Sequence, residues 1–186
     1  EEIVKVITNF DGIVIIDEAY SDFSREKNFR SELKKYPNII VLNTFSKAWG
    51  CAAIRLGMAF AGKEIINLFN KVKYPYNINA LTQKKALEII DDYSDVHEWL
   101  RLILMERTHM IKAFRDLPIC ERVYPTDANF FLAKMDDAQA VYDYLVEKGI
   151  IVRNRTRVRL CNNCLRVTIG TRSENAELIG AIRQFS

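Results

Sequence analysis

The segment Thr44-Phe45-Ser46-Lys47-Ala48-Trp49-Gly50 follows, after Asn43, the apolar run 39–42. An earlier apolar run, 13–16, ends in Asp17-Glu18-Ala19-Tyr20. Such continuous runs of β-branched residues are typical of parallel strands that helices cover on both faces. Neighbouring parallel strands end at the same edge of a sheet, which is where α/β folds place their ligands. We therefore expect the side chains of Asp17 and Lys47 to meet at that edge.

The patterns around these strands predict an α/β domain with a mostly parallel sheet, followed by a smaller α+β domain. In the first domain, a third strand is expected at 55–61 and amphipathic helices at 63–71 and 80–93. A long helix at 96–117 follows, and long helices often join domains. We therefore place the boundary at its start, which gives domains 1–95 and 96–186.

In the second domain, the patterns predict three strands and two further helices. We expect strands at 129–133, 150–152 and 164–169, and helices at 137–148 and 173–185. Ser173 is the predicted N-cap of the last helix. In the first domain, the polar segment 21–28 predicts a loop, and 31–36 predicts a short helix that ends before Pro37.

The composition excludes several classes of function. Of the 186 residues, 49% are hydrophobic, and the net charge is only +3, with basic and acidic residues interleaved. This pattern is typical of a globular protein without a nucleic-acid partner. No apolar run is long enough to cross a bilayer, and Glu1-Glu2-Ile3 does not resemble a signal peptide. We therefore expect a cytoplasmic protein without a membrane partner.

Cys161 and Cys164 form a C-x-x-C pair, which elsewhere provides half of a zinc site or a redox dithiol. His97 and His109 are isolated from each other and from this pair, so the sequence predicts no metal site. A redox motif normally opens a helix, whereas 165–169 has the pattern of a strand. We therefore favour two reduced thiols near a turn, with redox chemistry as the alternative.

The residues after the first two strands suit a cofactor with an aldehyde on a cationic ring, as in pyridoxal 5′-phosphate. A partly buried lysine such as Lys47 can present a neutral amine that forms an imine with an aldehyde. A buried carboxylate, as we expect for Asp17, can keep a ring nitrogen protonated. Tyr20 could donate to the phenolic oxygen of the ring. Taken singly, each has an ordinary alternative: a surface lysine, a turn aspartate and a core tyrosine.

Donors for a phosphate group stand near the lysine. Thr44 and Ser46 supply hydroxyls, and Arg55 supplies a planar guanidinium that can bind phosphate through two hydrogen bonds. Arg55 stands between Ile54 and Leu56, which is an unusual position for an arginine that is merely solvated. The ordered set of residues, rather than any one of them, points to this cofactor.

These motifs resemble the fold-type I pyridoxal-phosphate aminotransferases. The resemblance rests on Asp17-Glu18-Ala19-Tyr20, Thr44-Phe45-Ser46-Lys47-Ala48 and Ile54-Arg55-Leu56-Gly57. Later segments narrow it to the histidinol-phosphate aminotransferases; these segments are 73–79, 124–130, 149–153 and 165–171. The resemblance implies a reaction that exchanges the amino group of histidinol phosphate for the keto group of 2-oxoglutarate, in histidine biosynthesis, by a homodimer.

The resemblance also implies roles for the residues near the cofactor. Lys47 is similar to the catalytic lysine that binds the cofactor aldehyde and then moves the substrate proton. Asp17 is similar to the partner of the ring nitrogen, and Tyr20 to the donor to the phenolic oxygen. Ser46 and Arg55 match phosphate ligands. Thr44 matches one less closely.

Two further arginines match substrate ligands of the family. Arg166 resembles the arginine that binds the carboxylate of glutamate. Arg153 and Arg166 together resemble the pair that binds the phosphate of histidinol phosphate. Arginines also alternate at 155, 157 and 159, so a solvated basic strand is the alternative interpretation for Arg153.

The family has an upstream half that this sequence lacks. We therefore expect the chain to be the C-terminal portion of such an enzyme, with an unpaired strand edge and an uncovered apolar face. By itself, it should bind the cofactor weakly and be inactive. The alternatives within the fold are a lyase similar to threonine-phosphate decarboxylase and an aromatic aminotransferase. The alternative outside it is a non-catalytic assembly module.

Overall fold

A three-stranded sheet organises the first part of the chain in the computed structural model, which describes residues 1–185. Strands β1 (Val14–Asp17), β2 (Ile39–Thr44) and β3 (Gly57–Ala61) lie side by side in that order. β1 runs parallel to β2, with Asp17 opposite Leu42, and β3 runs antiparallel to β2. The α/β class is thus confirmed, although only one of these two pairings is parallel.

Three helices accompany this sheet: α1 (Glu2–Asn9), α2 (Lys63–Val72) and α3 (Ala80–Asp91). The side chain of Asn79 caps the start of α3, where its oxygen accepts the N–H of Thr82 at 2.9 Å. A small core forms between the sheet, α1 and the segment before β2. Its buried members are Ile7, Ile16, Tyr36, Ile39 and Val41.

The two parallel strands differ in burial. Ile39, Ile40 and Val41 of β2 are buried, as predicted. β1 instead lies at the edge of the sheet, and Ile15 is 63% exposed. The prediction that helices cover both faces is therefore wrong for β1, whereas the expected uncovered apolar face and strand edge are present among the described residues.

The start of the third strand and the connection before β2 also differ from the prediction. β3 begins at Gly57 rather than at residue 55, because a 3₁₀ turn, Ala52–Ile54, occupies the preceding residues. The predicted loop 21–28 contains a 3₁₀ turn, Ser21–Phe23, whose Phe23 is almost completely buried. In place of the predicted helix 31–36, a 3₁₀ turn spans Phe29–Glu32.

The chain divides into two compact units, Glu1–His97 and Glu98–Ser186. The long helix α4 (Ser94–Arg115) begins just before this division. The second unit contains strands β4 (Cys120–Val123), β5 (Phe130–Met135), β6 (Arg153–Asn154) and β7 (Cys164–Thr168). It also contains helices α5 (Ala138–Glu147) and α6 (Arg172–Phe185).

The four strands of the second unit form an antiparallel sheet in the order β4-β5-β7-β6. One face of this sheet packs against helices around Phe114 and Phe131, whose rings meet nearly edge to face at 4.8 Å between centroids. Along β5, Phe131, Ala133 and Met135 alternate into this core. The alternation with period two is what makes the segment a half-buried strand.

Two predictions for this unit are wrong in detail, and one strand was not predicted. β6 is Arg153–Asn154 and not 150–152, and β4 was not predicted because Cys120–Val123 is short and carries no clear alternation. The cap of α6 is Thr171 rather than Ser173. The Thr171 N–H donates to Glu174 Oε2 at 2.7 Å and its hydroxyl accepts the Glu174 N–H, so the two residues form a capping box.

The described residues provide no sign of a membrane span or a metal centre. Within residues 1–185, no helix combines the length and apolar character that a bilayer crossing requires. The same residues contain no cluster of three or more histidine, cysteine, aspartate or glutamate side chains placed to hold a metal ion.

Candidate active site

Residues from the ends of β1 and β2 come together at one edge of the first sheet. The parallel pairing aligns Asp17 with Leu42, so the segments that follow both strands leave the sheet side by side. Across this edge, the Lys47 ammonium lies 5.2 Å from the centre of the Tyr20 ring. Two of the residues predicted from the sequence as cofactor ligands therefore contact each other directly.

A buried amide holds these two segments in place. Asn43, which is only 3% exposed, donates from Nδ2 to the carbonyl oxygen of Glu18 at 3.2 Å and lies 3.4 Å from the hydroxyl of Ser21. Its Oδ1 accepts the N–H of Thr44 at 2.6 Å. Sequence analysis did not assign a role to Asn43. The available signal was one amide within an otherwise apolar strand, which is costly unless its hydrogen bonds are satisfied.

Thr44 and Ser46 place two hydroxyls beside the lysine. Thr44 Oγ1 lies 3.0 Å from Ser46 Oγ and accepts the Ser46 N–H at 3.0 Å. The same Oγ1 lies 3.2 Å from the carbonyl oxygen of Leu56, so this group also connects the lysine segment with the turn before β3. Both side chains are half-buried, which restricts their rotamers while leaving them accessible.

The charged groups of this edge are exposed. Asp17 accepts the N–H of Ala19 at 3.0 Å, and both Asp17 and Lys47 face solvent. The expectation of a buried acid and a partly buried lysine is therefore wrong for this chain. For Asp17 the reason is its place on the edge strand β1, where it shares the exposed face of Ile15.

Arg55 occupies an unusual backbone conformation. Its φ of 53° and ψ of 44° lie in the left-handed region, which is uncommon for residues other than glycine. The guanidinium donates to the carbonyl oxygen of Ala52 at 2.9 Å and is exposed, so its apolar neighbours in sequence do not bury it. The hydroxyl of Thr82 donates to the carbonyl oxygen of Ile54 at 3.1 Å, which ties this turn to α3.

A second residue that the sequence analysis missed is Glu18. It is buried, and its Oε1 accepts the N–H of Phe29 at 2.6 Å while Oε2 lies 3.7 Å from Nε of Arg30. These contacts fix the segment after Tyr20. The charge on Glu18 was the signal, because a buried carboxylate requires such partners.

In the second unit, the sheet pairs the two predicted substrate arginines. Arg153 of β6 lies directly opposite Arg166 of β7. The Arg166 guanidinium lies 4.8 Å from the centre of the Phe130 ring, and its Nε is buried without a hydrogen-bond partner in the part of the chain that the structure describes. Like charges directly opposite on a sheet are destabilising. An anion bound to both would remove that penalty.

The alternative of a continuous basic strand does not hold beyond Asn154. After β6 the chain forms consecutive turns, in which the N–H of Val158 donates to the carbonyl of Arg155 at 2.8 Å and that of Cys161 to Val158 at 3.0 Å. Arg157 and Arg159 are exposed on these turns. Arg153 is therefore the last of the alternating arginines that lies within a strand.

The turn from β7 into α6 is held by a buried polar pair. Asn175 Oδ1 accepts the N–H of Gly170 at 3.0 Å, and its Nδ2 lies 3.1 Å from the Gly170 carbonyl oxygen and 3.0 Å from Glu106 Oε2 of α4. Beside it, the N–H and hydroxyl of Thr171 lower the pKa of the Glu174 carboxyl, with the backbone N–H as the larger cause. These contacts fix the end of the strand that carries Arg166.

Comparison with known proteins assigns a family. The model of the aminotransferase class I and II family matches residues 1–182. The chain belongs to this family. Its sequence is 58% identical over 184 residues to a histidinol-phosphate aminotransferase from Bacteroides fragilis, a match that covers 99% of the chain and 53% of that relative. The chain thus spans about half the length of the curated relatives that it matches.

Solved structures of aminotransferases have the same fold. The match with the histidinol-phosphate aminotransferase from Clostridium acetobutylicum covers 99% of this chain and 58% of that enzyme's chain, with a TM-score of 0.90 and 24% identity. The histidinol-phosphate aminotransferase from Sinorhizobium meliloti was solved in complex with pyridoxal-5′-phosphate. The match covers 94% of this chain and 50% of that enzyme's chain, with a TM-score of 0.81 and 23% identity. At these identities the likeness concerns the fold alone.

Proposed function

We propose that the chain is part of a pyridoxal-phosphate-dependent aminotransferase that exchanges amino and keto groups between histidinol phosphate and 2-oxoglutarate. The observation that carries this proposal is the contact of Lys47 with Tyr20 at the ends of two parallel strands. The 58% identity to a relative of that name supports the substrate assignment. Cytoplasmic location and assembly as a homodimer are part of the same proposal.

The residues at the edge of the first sheet fit pyridoxal 5′-phosphate. The amine of Lys47, the phenol of Tyr20 and the hydroxyls of Thr44 and Ser46 lie there. The buried amide of Asn43 holds the two segments that carry them. When bound, the cofactor supplies an aldehyde that takes up the substrate amine and a ring that withdraws electrons from the adjacent carbon. The chain supplies the groups that hold this ring and move protons around it.

Each of these groups has a distinct proposed task. Lys47 would hold the cofactor through its aldehyde, and its amine would carry a proton to and from the substrate carbon. The exposed carboxylate of Asp17 pairs with the ring nitrogen and keeps it protonated. The Tyr20 hydroxyl donates to the phenolic oxygen.

The phosphate requires donors and positive charge. The hydroxyls of Ser46 and Thr44 donate to it, and the guanidinium of Arg55 adds a charged, planar donor. Because Thr44 also contacts the carbonyl of Leu56, the hydroxyls and the turn that carries Arg55 are held as one group.

We assign the anionic part of the substrates to the arginine pair of the second unit. Arg166 has an unpartnered buried Nε among the described residues and is oriented by Phe130, so it would bind a carboxylate or phosphate without losing an existing hydrogen bond. Arg153, directly opposite, adds the second charge that a dianionic phosphate favours. We further propose that 1–95 is part of the large domain of the enzyme and 96–186 the small domain.

The proposal is tested with a chimera, in which the chain is joined to the half of the Bacteroides fragilis relative that it does not cover. We expect this protein to convert histidinol phosphate and 2-oxoglutarate to glutamate and the ketone that corresponds to histidinol phosphate, and Lys47→Ala to abolish turnover. Lys71→Ala, on exposed α2, is the matched control. Release of carbon dioxide from a phosphorylated amino acid, or a preference for phenylalanine, would contradict the substrate assignment. The chain without the added half should show no turnover.

Cofactor attachment is tested on the chain separately. Pyridoxal 5′-phosphate is added, the product is reduced with borohydride, and the modified lysine is identified by mass spectrometry. We expect label on Lys47 in preference to the other exposed lysines. Label distributed evenly over the lysines would contradict the proposed site.

A further inference from the structure

Cys161 and Cys164 stand at the two ends of a tight turn that leads into β7. The N–H of Cys164 donates to the carbonyl oxygen of Cys161 at 3.1 Å. A turn of this kind keeps its first and fourth Cα atoms within about 7 Å, and disulfides span Cα separations of about 4.4–6.8 Å. The backbone therefore already holds the two cysteines at a separation that a disulfide can bridge.

The turn is anchored to the sheet by the residue before Cys164. The side-chain amide of Asn163 donates to the carbonyl oxygen of Asp136 at 3.0 Å. The backbone carbonyl oxygen of Asn163 accepts the N–H of Met135 at 2.8 Å. Cys164 Sγ lies 3.4 Å from the carbonyl oxygen of Asn162, so the sulfur turns back over the segment between the two cysteines. The backbone of the turn is thus fixed, and the Cys164 thiol lies against the segment that separates it from Cys161.

The two thiols differ in access to solvent. Cys161 is half-buried, whereas Cys164 is fully buried. Burial is the main cause that raises the pKa of the Cys164 thiol, and the charge of a Cys161 thiolate would raise that pKa further. A soluble oxidant therefore meets Cys161 first, while Cys164 stays protonated and shielded next to it.

We propose that Cys161 and Cys164 form a reversible oxidation site, at which a peroxide closes a disulfide across the turn. The Cys161 sulfur attacks one oxygen of the peroxide, the O–O bond breaks, and a sulfenic acid forms as water leaves. The Cys164 sulfur then attacks the sulfenic sulfur and displaces its oxygen as a second water, which takes the remaining thiol proton. The peroxide gains two electrons and the thiol pair loses them. A small dithiol reverses the step by exchange.

This site differs from the catalytic dithiols that open a helix, because Cys164 begins strand β7. It is a site of reversible oxidation, and the disulfide would form next to the strands that carry Arg153 and Arg166. The N–H of Arg155 donates to the carbonyl of Cys164 at 2.8 Å, and Arg166 follows two residues later. A disulfide here fixes the connection between the two strands that carry the arginine pair.

The sequence allows a direct test on the unsubstituted chain. Arg159 and Arg166 flank both cysteines, so trypsin releases them together in the peptide 160–166. After treatment of the reduced chain with hydrogen peroxide and blocking with iodoacetamide, we expect this peptide to have lost two hydrogens and to carry no label. The thiols of Cys51 and Cys120 should be labelled. Dithiothreitol before blocking should restore double labelling of the peptide.

Other products would overturn the proposal. These are a doubly labelled peptide after peroxide, Cys161 found only as a sulfinic acid, or a crosslink from either cysteine to Cys51 or Cys120. The double variant Cys51→Ser/Cys120→Ser is the matched control and should form the disulfide unchanged. Cys164→Ser should stop the reaction at a sulfenic acid on Cys161 that dimedone traps.

Which of the two thiols reacts first is measured separately on the unsubstituted chain, so this measurement does not depend on the folding of any variant. With limiting iodoacetamide, Cys161 should be labelled well before Cys164 in the folded chain and at the same rate in urea. Equal labelling in the folded chain would overturn the assigned roles of the two thiols.

Discussion

The arginine pair of the second unit is the clearest case in which one residue's surroundings indicate its ligand. Arg153 and Arg166 face each other as like charges, and Arg166 Nε is buried without a hydrogen bond in the described residues. We expect the chain to bind inorganic phosphate, and Arg153→Ala or Arg166→Ala to weaken that binding about tenfold through loss of a charge-assisted hydrogen bond. NMR titration measures this. Arg159→Ala, on the exposed turn, is the control. Equal affinity in all variants would contradict the assignment.

Asn43 is the residue whose removal should most disturb the candidate cofactor site. Replacement by alanine leaves the Thr44 N–H and the Glu18 carbonyl oxygen without their partner. We expect Asn43→Ala to lower the free energy of unfolding by about 1–3 kcal/mol, because a buried polar group left unpaired costs that much. Urea denaturation followed by circular dichroism measures the change. Asn70→Ala, on the exposed face of α2, should leave it within error.

At the scale of elements, the capping box of α6 predicts a dependence of stability on pH. Hydrogen bonds from Thr171 lower the pKa of Glu174 in the folded chain below its unfolded value of about 4.3. The contribution of Glu174 to stability is therefore complete above that value and is lost as the pH falls through the folded pKa. Glu174→Gln should reduce stability at neutral pH and converge with the unsubstituted chain in acid.

Urea titrations at neutral pH and at about pH 3 measure this convergence. Glu177→Gln, an exposed change on the same helix, is the matched control. A constant difference between Glu174→Gln and the unsubstituted chain at both pH values would show that the charge of Glu174 does not act through the cap.

The elements also show why prediction from the sequence succeeds in some places and not in others. β2 and β5 were predictable because a continuous or alternating apolar pattern decides burial directly. β3 was misplaced because the left-handed Arg55 belongs to a turn that is held in part by a contact distant in sequence, that of Thr82 with Ile54. α6 was assigned the wrong cap because Thr171 and Ser173 both have suitable hydroxyls, and the distance to Glu174 decides between them.

At the scale of the whole molecule, the exposed edge of β1 is the feature most open to association. β1 pairs on one side only among the described residues, and Ile13 and Ile15 are exposed beside it. Open edges with apolar side chains favour pairing with other chains. We expect the chain to self-associate as its concentration rises, and Ile15→Lys to suppress this. Sedimentation velocity measures it. Ile151→Lys, at an equally exposed position of the second unit, should have no effect.

The candidate site was partly predictable at this scale. The motif around Lys47 was sufficient to place the lysine and Tyr20 at one sheet edge, because parallel strands end together. The motif was not sufficient to predict how far these side chains are buried. Asp17, Lys47 and Arg55 are all exposed in a chain that spans about half the length of its relatives. Burial depends on every neighbouring segment, and a local motif contains no information about segments outside it.

The left-handed backbone at Arg55 has an evolutionary consequence. This conformation costs a residue with a β-carbon about 1 kcal/mol or more of conformational free energy, whereas glycine adopts it freely. A library of substitutions selected only for resistance to heat should therefore enrich glycine at position 55. Under the proposed function, a library of the chimera selected for growth without added histidine should retain the arginine, and the difference between the two outcomes would measure the contribution of the guanidinium to activity.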